Sequence, residues 1–191
     1  MTKTSDYVLL VDGDAAVRGL LASYLENAGY QALHAGDGLH AIRILRDKRP
    51  KVIVSGLGMP HMSGIEFIGV VRQRFPTLPV IAFFGSMPDE FPAGTEPDRL
   101  FEKRGDHLPE LMKAINELAR RTPDGSRVPQ AISVPVRTVA DSGGDFSFSC
   151  PDCLRAFMAR VAPKAERIAT TAACTHCGGH VPFLHETAAN A

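Results

Sequence analysis

Five short apolar runs alternate with segments of helical spacing along the first 121 residues, and this alternation limits what the chain can fold into. Tyr7–Val11 is the first run, closed by Asp12-Gly13-Asp14. Val17, Leu20, Leu21, Tyr24 and Leu25 then recur at helical spacing, with Asp14 placed as N-cap and Gly29 where the helix should stop. Tyr30–Ala35 reads as a second strand, and Gly38–Lys48 as a helix with Ile42 and Leu45 inward. Val52–Ser55 gives the third strand, Gly64–Phe75 a helix, and Val80–Phe84 the fourth strand. Pro88, Pro92, Gly94 and Pro97 then predict that no ordinary helix spans 86–98, because proline removes a donor and clashes with the preceding turn. Leu100–Lys103 is the fifth strand, and His107–Arg120 the last helix, with Leu108, Leu111, Met112, Ile115 and Leu118 on one face. Strands that alternate with helices and are buried on both faces build an α/β fold: a doubly wound, five-stranded parallel sheet. Its functional groups belong at the carboxyl ends of the strands, here Asp12-Gly13-Asp14, Gly56, Phe84-Gly85 and Lys103.

The remainder of the chain is organised differently. Residues 122–145 are rich in Pro, Gly, Ser and Thr, a linker composition, although the apolar patch Ala131–Val139 could lie extended against a neighbouring domain. All four cysteines follow, as Cys150/Cys153 and Cys174/Cys177, two C-x-x-C pairs with twenty residues between them. Zn²⁺ takes four soft ligands in a tetrahedron at ~2.3 Å, and a C-x-x-C turn presents two sulfurs from one knuckle. Two knuckles fill the tetrahedron, so the implied zinc is structural. The large apolar side chains of this segment (Phe146, Phe148, Leu154, Phe157, Met158, Val161, Ile168, Val181, Phe183, Leu184) are too few for a core that folds alone. Metal binding supplies on the order of 10 kcal/mol or more to such a segment. A redox dithiol pair or two disulfides are the alternatives; neither cysteine pair follows the strand-to-helix pattern of a thioredoxin-type motif. The expected division is residues 1–121, a linker 122–145, a zinc ribbon 146–186 and a tail 187–191.

Charge excludes little but directs attention. The chain has 21 basic and 21 acidic residues, 15 of each sign in 1–121 and 6 of each in 122–191. The totals show no basic surplus of the kind that phosphate-backbone binding leaves. The N-terminal apolar run is too short for a signal peptide, and no segment approaches a membrane span, so a cytoplasmic protein is expected. In the ribbon, Arg155, Arg160, Lys164 and Arg167 stand against Asp152, Glu166 and Glu186, which leaves protein and DNA contact both open. His34, His40, His61 and His107 are scattered and set up no base–nucleophile pair.

The segments VLLVDGDAAVR, VIVSGLGMPHMSG, PVIAFFG and FEK resemble a response-regulator receiver domain over roughly residues 6–121. The resemblance implies a flavodoxin-like fold and a role in two-component signalling or a phosphorelay. It also implies a phosphoacceptor aspartate after strand three, two acidic residues that help to hold Mg²⁺, a hydroxyl after strand four and a lysine after strand five. Against that pattern, Asp12 matches the first acidic position and Gly13 replaces the second. Gly56 stands at the phosphoacceptor and Phe84 at the hydroxyl position; Lys103 is kept, followed by Arg104 where a proline is usual. Leu100 replaces the usual switch aromatic. Glycine forms no acyl phosphate, and Asp12 with at most Asp14 is a poor octahedral site, which argues against Mg²⁺. Phe84 is expected to fill the emptied pocket and Lys103 to pair with Asp12.

The pattern C-P-x-C-x-x-x-F…C-x-x-C-G…F likewise resembles short four-cysteine zinc ribbons fused to bacterial regulatory proteins, over about residues 146–184. Together the two resemblances imply a non-enzymatic regulator or adaptor that binds protein partners. The alternative is a transcription regulator whose ribbon contacts DNA.

Overall fold

In the computed structural model, residues 6–86, 91–103, 107–121, 134–135, 145–150, 152–160 and 168–185 are described. The first ten elements are β1 (Tyr7–Val11), α1 (Ala15–Asn27), β2 (Gln31–Ala35), α2 (Gly38–Asp47), β3 (Val52–Gly56), α3 (Gly64–Arg74), β4 (Val80–Phe84), β5 (Arg99–Glu102), α4 (Leu108–Ala119) and β6 (Val134–Pro135). After them come β7 (Asp145–Ser149), β8 (Ala156–Arg160), β9 (Ile168–Ala173) and β10 (His180–His185). The first five strands form a parallel sheet in the order β2-β1-β3-β4-β5. The doubly wound sheet expected from the alternation of apolar runs is therefore present. None of the described helices is long and apolar enough to cross a membrane.

Each face of the sheet has its own core. Leu9, Val11, Ile53, Val80 and Ala82 point toward α2 and α3, where Ile42, Leu45, Phe67, Ile68 and Val71 meet them. Val8, Leu10, Val52, Val54 and Ile81 point the other way, toward α1 and α4. The period of two along a strand divides the apolar runs between these clusters. On α1 only Leu21, Ala22 and Leu25 are buried, whereas Leu20 and Tyr24 are exposed. The apolar arc in the sequence is thus wider than the stripe the sheet covers.

Local signals set the helix starts. The Asp14 carboxylate accepts from the N–H of Ala16 and caps α1. At α3, Ser63 and Glu66 form a reciprocal capping box. Gly64 follows because a Cβ there would stand 2.1 Å from the Gly56 carbonyl oxygen.

No helix connects β4 to β5 among the described residues, and Arg72 of α3 holds this stretch instead. Its guanidinium donates to the carbonyls of Leu78 and Glu96 and pairs with Asp98 at 2.9 Å. Asp98 in turn accepts from the N–H of Val80, and both side chains of the pair are more than nine-tenths buried. Nothing in the sequence pattern marked this pair. Strand five lies one residue earlier than expected, which leaves Lys103 just beyond its end.

The C-terminal strands make two small sheets, β6-β10-β9 and β7-β8. β9 and β10 are antiparallel, as are β7 and β8. Val134–Pro135, from within the linker-like stretch, pairs in parallel with Phe183–Leu184 and lies against α3. The ribbon's own buried cluster is Cys150, Phe157, Ala172, Cys174 and Val181. Leu154, counted above with the ribbon, instead joins the cluster under α2 and α3, and Met158 is exposed. The side chains of Phe146, Phe148, Val161, Ile168, Phe183 and Leu184 lie outside those described, as do residues 161–167 and 186–191.

Candidate functional sites

At the carboxyl end of the parallel sheet, β1 leads into Asp12, β3 ends on Gly56, β4 on Phe84, and β5 leads into Lys103. Parallel pairing therefore brings the four residues to one rim. Lys103 Nζ lies 2.7 Å from Asp12 Oδ2, and the Asp12 side chain is almost wholly buried. A Cβ built on Gly56 would stand 2.6 Å from that same Asp12 oxygen and 3.5 Å from Lys103 Nζ. The ion pair thus occupies the space that any side chain at position 56 would need.

The other oxygen of Asp12 accepts from the N–H of Asp14, and Arg18 donates to the Asp12 carbonyl. Asp12 and Asp14 are consequently both engaged, Asp12 with Lys103 and Asp14 as helix cap. Gly13 brings no oxygen ligand, and a Cβ there would come within 3.3 Å of the Pro60 ring. Phe84 was expected to fill the vacated pocket. It packs instead with the apolar cluster on the α2/α3 face, because it shares the strand face of Val80 and Ala82. The atoms nearest the missing side chain of Gly56 belong to Asp12 and Lys103.

The four cysteines converge from two knuckles with matching backbones. In the first, Leu154 N–H donates to Cys150 O and Cys150 N–H to Arg155 O. In the second, Gly178 N–H donates to Cys174 O and Cys174 N–H to Gly179 O. Each knuckle needs a left-handed residue at its fifth position, and these are Leu154 at φ 56° and Gly178 at φ 75°. Glycine adopts that region freely, whereas leucine is strained by roughly 1–2 kcal/mol. A Cβ on Gly179 would meet the Asp152 carboxylate, so a side chain there would require Asp152 to turn aside.

All four sulfurs lie within 4.8 Å of one another. Cys150 Sγ is 3.6 Å from Cys177 Sγ, and Cys153 Sγ is 3.7 Å from Cys174 Sγ. A disulfide needs about 2.05 Å. The edge of a tetrahedron with ~2.3 Å zinc–sulfur bonds is about 3.8 Å, which the two separations approach. The N–H of His176 points at Cys174 Sγ at 3.4 Å, the kind of donor that stabilises a thiolate. Burial pushes the Cys150 thiol up to about 12. Cys174 is lowered to about 7: burial opposes this, but the N–H groups of His176 and Cys177 and the neighbouring thiols outweigh it. Soft donors at tetrahedral spacing fit Zn²⁺. This is the one such group of Cys, His and acidic ligands among the described residues.

Comparison with known proteins agrees with this geometry in the first part of the chain. The response regulator receiver domain family model matches residues 8–90. Over 77 residues the chain is 40% identical to an uncharacterized 14.6 kDa protein of Leptolyngbya boryana, a match covering 39% of this chain and 59% of that one. It is 38% identical over 74 residues to the sensor histidine kinase RcsC of Escherichia coli K12, covering 39% of this chain and 8% of the kinase. It is 35% identical over 74 residues to the DNA-binding transcriptional regulator NtrC of the same organism, covering 39% of this chain and 16% of NtrC. The chain thus spans less than two thirds of each of these relatives.

Among solved structures, a Francisella response regulator receiver domain superposes with TM-score 0.55 at 25% identity, covering 61% of this chain and 98% of that one. A CheY-like receiver domain protein from Methanospirillum hungatei superposes with TM-score 0.57 at 20% identity, covering 61% and 94%.

Proposed function

We propose that this chain, whose N-terminal part carries a response regulator receiver domain, is a non-enzymatic signalling adaptor that no longer accepts phosphate. Its zinc ribbon would supply a second surface for partner proteins. The observation that carries this reading is the Asp12–Lys103 pair closed over Gly56. Phosphoryl transfer to a receiver needs an acceptor carboxylate, a divalent cation and a free lysine to neutralise the product. Here position 56 has no carboxylate, Asp14 is a helix cap, and Lys103 already holds Asp12. The domain division 1–121, 122–145, 146–186 and 187–191 belongs to this reading, with Cys150, Cys153, Cys174 and Cys177 as structural zinc ligands.

The test has two arms. Incubation with Mg²⁺ and acetyl phosphate should leave the intact mass unchanged; a phosphorylated species sensitive to hydroxylamine would overturn the loss of acceptor chemistry. Affinity purification with and without nuclease, beside a Cys150→Ser/Cys174→Ser variant, should recover protein partners that survive nuclease and weaken in the variant. Nuclease-sensitive recovery of DNA with polymerase subunits would replace the adaptor reading with a transcription regulator.

A further inference from the structure

Where the ribbon meets the receiver fold, α2 and the first knuckle enclose a cleft of about 350 Å³. Leu39, Ile42, Leu154 and Ala156 supply apolar surface, and Arg43, Arg46 and Arg155 supply cationic groups, while the His176 ring lies at the wall, hydrogen-bonded to the Ala156 carbonyl. We propose that this cleft binds a small phosphorylated ligand with a flat, apolar body, of mononucleotide size. The proposal goes beyond the adaptor reading and does not need it.

Charge complementarity carries the argument. The chain as a whole is neutral, yet among the described residues no aspartate or glutamate lines the cleft. Neighbouring basic residues on the same stretch have other work. Lys48 lies over the Tyr7 ring, Arg49 over the Phe75 ring, and Lys51 pairs with Asp6. Arg43 lines the cleft and donates through Nε to the Leu39 carbonyl, and its outer guanidinium nitrogens have no partner among the described residues. The guanidinium groups of Arg46 and Arg155 make no hydrogen bond or ion pair among the described residues, although the Arg155 carbonyl accepts from Cys150 N–H. Guanidinium groups take phosphate oxygens in pairs and also stack on flat rings. Inorganic phosphate alone would leave the apolar surface unused, and a volume near 350 Å³ falls in the range of small-ligand sites.

The lining residues come from both parts of the chain, so an occupant would bridge them. A ligand that binds only the docked arrangement stabilises it by mass action.

The experiment is calorimetric titration of the zinc-loaded full chain with AMP and GMP, beside inorganic phosphate, adenosine and a single-stranded oligonucleotide. At least one mononucleotide should bind tenfold or more tightly than either phosphate or adenosine. Arg46→Glu and Arg155→Glu, both exposed positions, should each weaken it at least tenfold while zinc content and melting temperature stay unchanged. The absence of saturable binding at millimolar nucleotide overturns the proposal. So does equal binding by phosphate alone, or binding indifferent to both variants. Preferential, steeply salt-dependent binding of the oligonucleotide would assign the surface to nucleic acid and overturn it as well.

Discussion

Single residues decide the chemistry at the sheet rim. Replacing the Gly56 hydrogen by a carboxylate does not by itself rebuild an acceptor, because the new side chain must displace Asp12 from its place beside Lys103. Gly56→Asp should therefore lower the melting temperature and still take up no phosphate from acetyl phosphate and Mg²⁺, as followed by calorimetry and intact mass. Removing the lysine exposes the other half of the balance. Lys103→Met leaves the Asp12 carboxylate buried without its cation, a loss of about 1–3 kcal/mol in urea unfolding. Arg72 presents a stronger case, since its pair with Asp98 is shielded from water on both sides. Breaking a buried pair from one side costs about 3–5 kcal/mol, so Arg72→Met should be the most destabilising of these substitutions in the same measurement. Most of that cost comes from the charge left behind on Asp98.

At the scale of elements, the two knuckles have the same backbone but different residues at the left-handed position, glycine in one and leucine in the other. The leucine is retained against its strain because its side chain is buried in the cluster under α2 and α3. Burying such a side chain contributes about 1.5–3 kcal/mol, which exceeds or balances the strain. Leu154→Gly should relax the knuckle and leave zinc affinity unchanged or improved. Protection of α2 amides near Ile42 in hydrogen exchange should fall at the same time. Among the described residues, Cys150 and Cys174 are part of the ribbon's buried cluster, which ties that cluster to the metal site. Cys174→Ser should abolish stoichiometric zinc and the protection of β9 and β10, while β1 to β5 keep theirs. Zinc loading must also release protons, since the Cys150 thiol is held up near 12 and binds metal only as thiolate. Thiols regain their protons as pH falls, so competition with a chromogenic chelator should show affinity dropping on acidification. The drop should be steeper than a single proton would give.

For the whole molecule, the boundary between what the sequence determined and what folding decided follows the range of the forces involved. The alternation of apolar runs with helical spacing, the Asp14 cap and the prolines after β4 are local signals, and they placed the five strands, four helices and the helix-free connection among the described residues to within a residue or two. Chain order then dictated which strand ends share a rim, so the meeting of Asp12 and Lys103 was legible once parallel pairing was assumed. Likewise the sequence named Cys150, Cys153, Cys174 and Cys177 as a possible ligand set, but their sulfur separations belong to the folded chain.

Other features depended on which surfaces came into contact. Phe84 turned to the core because of strand phase, and Arg72 reached Asp98 across 26 residues of sequence. Leu154 left the ribbon's core for that of its neighbour, and a basic cleft formed where the two met. Periodicity and capping act over one or two turns of chain and can be read from residue order. Buried ion pairs and shared clusters join segments distant in sequence, and only tertiary packing brings those segments together.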